Sequence, residues 1–181
     1  MAEVIELKRF RQKMAADRGF RTWLARFREQ FGPGTRFQDL SDQTLLILAM
    51  PGEENLFVFI DLVMGAQGLG DSTSFRLADL EISAKEHILD LALGLLDRAR
   101  FEVMRRLGWV SAVPDGSLPI IEFLPGARPP AGSETVKLPA LAPEHPQFAE
   151  YQALPPHDQG IFIRRLIPRA VREFRRRLAG P

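Results

Sequence analysis

The chain has 181 residues, 45% of them hydrophobic and 26% charged, and its 24 basic and 23 acidic side chains leave a formal charge of +1. So large an apolar fraction excludes wholesale disorder and suffices for one domain, or one domain with a tail, that buries a core. The absence of cysteine excludes a disulfide scaffold, a thiolate metal site and a cysteine nucleophile.

The near-zero charge conceals a segregation. Residues 1–28 carry a net +5, 29–97 a net −9, 98–106 a net +3, 107–163 a net −4 and 164–181 a net +6. Basic ends flank an acidic middle. Either the ends fold onto that acidic region, in this chain or in a second copy, or they meet an anionic partner. Lysine occurs only at Lys8, Lys13, Lys85 and Lys137. The other basic residues are arginines, whose planar fork suits bidentate contacts with carboxylate or phosphate. The N-terminus is charged from its third residue and lacks the pattern of a secretory signal. The most apolar stretch, 45–64, is cut by Pro51, Gly52, Glu53, Glu54 and Asn55, well short of the roughly 20 apolar residues of a membrane span. The expected setting is the bacterial cytoplasm, with no membrane partner.

Taken in chain order, the spacing predicts helix over residues 3–31. Val4, Leu7, Phe10 and Met14 share one face, and Phe20, Trp23, Leu24, Phe27 and Phe31 the next, with a possible break at Asp17-Arg18-Gly19 and a firm stop at Gly32-Pro33-Gly34. Ser41 is placed to cap a second helix running to about Met50, with Leu40 and Leu45 at the positions of a hydrophobic staple. The apolar run 56–64 reads as a buried helix. A buried strand is the alternative, and it would turn the glycines at 65, 68 and 70 into a ligand loop. The clearest element is a long helix over 83–107, opened by a Ser83–Glu86 capping box and closed by Gly108. Acids lie in its first half and arginines in its second, each set opposing the partial charge of the nearer helix end, and Arg98–Glu102 and Glu102–Arg106 stand at i, i+4. Gly94 in its middle suggests the close approach of a neighbouring helix. Residues 109–113 and 118–123, joined by Pro114-Asp115-Gly116, read as a small β-hairpin, with Pro119 pushing the second strand to an edge. From 125 to 156 eight of 32 residues are proline, as in a linker or extended arm. The last element, from Gly160 to Ala179, sets an apolar stripe of Phe162, Ile163, Leu166, Ile167, Ala170, Val171, Phe174 and Leu178 against an arginine face, and Pro168 should kink it or begin a new helix.

The expected fold is therefore mainly α: a helical bundle-like body with the long helix 83–107 at its centre and a small β-hairpin (1–124), a proline-rich arm (125–156), and a C-terminal basic amphipathic helix (157–181) packed on the body or on a second subunit. A homodimer or another protein partner is expected from so long an arm.

Sites are sparser. The histidines, His87, His145 and His157, show no metal-ligand spacing, and no metal is expected. The glycines at 65, 68 and 70 meet neither the dinucleotide nor the P-loop spacing, and no cofactor is implied. Asp61 lies alone in an apolar run, so its burial calls for a cation. The expected answer is an ion-pair network of Asp61, Arg98, Arg100, Glu102 and Arg105. The anionic-partner surface is placed on Arg164, Arg165, Arg169, Arg172, Arg175, Arg176 and Arg177. With no catalytic constellation legible, the expected function is a non-enzymatic protein–protein interaction or regulatory module. Nucleic-acid binding through the C-terminal arginines is the alternative. A small-ligand binder or enzyme using Asp61 with Glu86, His87 and Asp90 is the second.

Overall fold

The computed structural model describes residues 2–72, 80–124 and 136–180, with side chains from residue 7 onward. Among these the chain forms α1 (Ala2–Gly19), α2 (Arg21–Phe27), α3 (Asp42–Ala49), α4 (Glu53–Ala66), α5 (Ile82–Arg106), α6 (Phe148–Gln152) and α7 (Pro156–Ala179). Two 3-10 turns, Phe37–Asp39 and Ile120–Phe123, lie between them. The mainly α class follows.

The predicted N-terminal helix is two. Phe20 separates α1 from α2, and Arg28, in the left-handed region at φ 58°, ends α2 before Gly32 is reached. The break lies where α1 crosses α4. A Cβ on Gly65 would stand 2.8 Å from the Arg18 carbonyl oxygen and 3.0 Å from the Gly19 Cα, so only a residue without a side chain allows this approach. Past the crossing, Trp23 is fully buried among Phe20, Phe27, Phe31 and Phe59, with ring centroids 5.4–5.9 Å away, and its indole N–H donates to the Val58 carbonyl at 2.9 Å. Aromatic burial of this kind with a satisfied N–H is a strong packing anchor. Leu24, Leu7, Phe10 and Met14, by contrast, face solvent.

The apolar run at 56–64 is helical within α4. Val58, Phe59, Leu62 and Val63 are buried between α1, α2 and α5. The Ser41 cap forms as expected, its hydroxyl accepting from the Thr44 amide at 3.1 Å. Glu29 joins it, accepting from the hydroxyls of Ser41 and Thr44. Burial opposes ionisation of Glu29, but these hydrogen bonds outweigh it and hold its carboxyl below the usual range.

Helix α5 is central, packing on α4, α3 and α7. It begins at Ile82, one residue early, without a side-chain cap, so the Ser83–Glu86 box is not made. The neighbour at Gly94 is extended chain: a Cβ there would meet Val136 Cγ2 at 3.3 Å. The hairpin is also replaced. Ile120 and Ile121 are adjacent and both buried, which a strand with one wet face would not allow, and they form the second 3-10 turn, anchored by the Ile120 amide to the Thr35 carbonyl at 2.8 Å. Val110 instead forms an isolated antiparallel bridge with Leu141, just before α6. Helix α7 starts at Pro156, where a missing N–H costs nothing, and runs through Pro168 without ending. Its buried stripe, from Ile163 to Phe174, faces α5 and α3.

One buried ion cluster locks this arrangement. Glu102 keeps only 4% of its side chain exposed and takes both forks of Arg105 at 2.7 Å and the Arg106 Nε at 3.0 Å. Arg106 then donates to the Leu40 carbonyl at 2.8 Å, reaches those of Phe37 and Gln38, and pairs with Asp42. Glu102→Gln leaves two guanidiniums without their shared carboxylate. It is expected to lower the free energy of unfolding by about 3 kcal/mol, read by urea denaturation. A loss below about 1 kcal/mol would show that the cluster does not anchor α3.

Candidate functional site

An apolar cleft of about 410 Å3 opens between the end of α3, the middle of α5 and α7. Its floor is Ala49, Met50, Pro51, Ile167, Pro168 and Val171, and its rim is Arg100, Asp97, Arg164, Arg172 and Arg175. Helix α7 supplies residues 164, 167, 168, 171, 172 and 175, one face at helical spacing and one edge of the stripe that packs on the body.

The electrostatics are lopsided. Asp97 is the one acid on the rim, and it pairs with Arg164. Arg100 is half-buried in the wall, its Nε donating to the Ala49 carbonyl at 3.3 Å. Burial pushes the Arg100 pKa down, Asp97 opposes that fall and Arg164 adds to it. A guanidinium held charged against desolvation gains from any carboxylate brought alongside. Arg172 and Arg175 have no ion pair among the described residues and project at the rim. Pro168 adds a backbone feature: it has no N–H for the carbonyl of Arg164, four residues earlier on the same helix.

The seven C-terminal arginines therefore divide. Arg164, Arg172 and Arg175 line the cleft, while Arg169 lies over the Trp109 ring at 5.7 Å, Arg176 pairs with Glu173 at 3.2 Å, and Arg165 and Arg177 are exposed elsewhere on the helix. The five residues expected in one ion-pair network are brought together only in part, Arg98 lining a small pocket beside Glu102. Glu102 and Arg105 pair with each other, Arg98 stacks over Phe123 at 3.7 Å, Arg100 is in the cleft, and Asp61 lines a second cavity of about 310 Å3 with Arg18 and Arg21. Glu86 and Asp90 are exposed on α5, outside both cavities, and the His87 Nε2 is buried without a hydrogen-bond partner. No group of three or more His, Asp or Glu among the described residues is placed to hold a metal ion, and no described helix is long and apolar enough to cross a membrane.

Sequence reasoning missed Asp97, the wall at 49–51 and Arg106 as a hub. The i, i+4 spacing of Glu102 and Arg106 was a signal for the last. It also missed the contact that seats residues 136–147. His145 is buried against Trp109, ring centroids 5.1 Å apart, and Arg169 lies 5.7 Å from the centroid of the same Trp109 ring. Its Nδ1 accepts from the Gln147 amide at 3.2 Å, a bond only the neutral ring makes. Burial, with the Arg169 charge behind it, pushes the His145 pKa below its ordinary value.

The sign of the pH effect follows. The unfolded chain takes up the proton more readily than the folded one, so this contribution to stability is whole above the unfolded pKa of about 6.5 and is lost as pH falls through the lowered folded value. In urea denaturation from pH 8 to pH 5, the wild type is expected to lose stability relative to His145→Gln on the acid side. Parallel curves would contradict it.

Comparison with protein-family models, with curated proteins and with solved structures yields no match to this chain.

Proposed function

We propose that the chain is a non-enzymatic interaction module that takes an acidic, partly apolar peptide segment of a partner protein into the cleft between α3, α5 and α7. The observation that carries this reading is the half-buried Arg100, which with Arg164, Arg172 and Arg175 shares a single rim acid, Asp97, around an apolar floor. An apolar side chain fills the floor and carboxylates meet the rim, the arrangement of a hot spot bounded by charge. A peptide suits the cleft better than a lipid because one segment brings apolar side chains and carboxylates together.

Nucleic-acid binding is less well supported. Phosphates need a continuous cationic track, whereas here Arg169 is spent on Trp109, Arg164 on Asp97 and Arg176 on Glu173.

Fluorescence polarisation with a labelled peptide of alternating Glu and Leu tests the reading. The wild type is expected to bind, with affinity falling as salt rises. Arg172→Ala with Arg175→Ala should weaken binding at least about tenfold, or roughly 1.4 kcal/mol, while Arg165→Ala with Arg177→Ala leaves it unchanged. Equal losses from both pairs, or tighter binding to duplex DNA than to the peptide, would overturn it.

A further inference from the structure

The second cavity lies where α1 breaks into α2 against the glycine-rich end of α4. The glycine crossing described above forces this geometry: it seats the end of α1 on Gly65 and turns Arg18, Arg21 and Thr22 toward the side of α4 that carries Asp61. Gly68, at φ +77°, lies in the left-handed region that favours glycine, and a Cβ there would stand 2.9 Å from the Arg18 Nη1. The guanidinium thus lies directly over the loop backbone.

Two features mark the space as more than a gap between helices. Its volume, about 310 Å3, is that of a small-metabolite site. No ion pair joins Asp61 to Arg18 or Arg21, although all three line the same cavity. Asp61 is held in place instead by the Ser72 amide, which donates to its Oδ1 at 2.7 Å.

We infer that this cavity binds a small zwitterion of the amino-acid type, its carboxylate on Arg18 and Arg21 and its ammonium on Asp61. The choice of class follows from charge. A phosphate or other simple anion would have to lie beside Asp61, and a polyamine beside two guanidiniums. A ligand with one group of each sign meets a complement at both ends. The site shares no residue with the α7 cleft, so the two readings stand or fall separately.

Isothermal titration of the full chain with L-serine, L-leucine, L-glutamate and L-lysine tests it, with inorganic phosphate and spermidine as probes of a single sign. At least one amino acid should bind saturably at one site per chain and more tightly than either single-sign probe. Asp61→Asn keeps an acceptor for the Ser72 amide, and Arg21 is exposed. Both Asp61→Asn and Arg21→Ala are therefore expected to melt close to the wild type without ligand, yet to weaken amino-acid binding at least about tenfold. The inference is overturned if no amino acid binds at about 10 mM. It is also overturned if phosphate or spermidine binds as tightly, or if folded Asp61→Asn binds like the wild type.

Discussion

The carboxylate of Glu102, taken out of water near the end of α5, is the constraint from which the rest of the arrangement follows. A buried charge must be met by opposite charge and by hydrogen bonds, and Arg105 and Arg106 supply both. Arg106 does more than neutralise. By reaching the carbonyls of Phe37, Gln38 and Leu40 it fastens the C-terminal end of α5 to the chain entering α3. Some two turns earlier on α5, Arg100 holds the Ala49 carbonyl at the other end of α3. Helix α3 is thereby laid antiparallel along α5, and its last residues, with Pro51, become one wall of the cleft whose other wall is α7. The polar cluster thus lies at one end of α3 and the cleft at the other, both tied to α5 by arginines.

This arrangement gives physical content to the charge segregation along the chain. Part of the acidic middle is consumed within the fold, Asp42 by Arg106 and Asp97 by Arg164. Part of the basic C-terminus is consumed by other means, Arg169 by the Trp109 ring and Arg176 by its own helix. What is left over is concentrated. Arg172 and Arg175 stand beside Arg100 around an apolar floor, where a low-dielectric wall strengthens the field that an incoming carboxylate meets.

The long helix, the Ser41 cap and the helical reading of the run at 56–64 were legible because each is local: a period, a hydroxyl three residues from an amide, a length. The hairpin was misread because apolar density around Pro114-Asp115-Gly116 resembles two strands until Ile120 and Ile121 are seen to be buried side by side. Pro168 was expected to kink α7 or to begin a new helix; no new helix begins, and α7 continues through it with its stripe packed on α5 and α3. The site was legible only in part. The C-terminal arginines were visible as a group, yet which of them share a cleft depends on Asp97, Trp109 and Glu173, whose positions no spacing along the chain reveals. Asp61 was expected to meet an arginine of α5. It is half-buried, accepts from the Ser72 amide and lines a cavity with Arg18 and Arg21, because the crossing at Gly65 directs that side of α4 toward α1.

The central claim, that the arginine-rimmed cleft is where an acidic partner docks, is tested most directly by amide chemical-shift mapping. In a titration of the isotopically labelled chain with the acidic peptide, the largest changes should fall on Ala49, Met50, Arg100, Ile167, Val171, Arg172 and Arg175. Changes confined to Arg165, Arg177 and the outer face of α1, with the cleft residues unmoved, would contradict it.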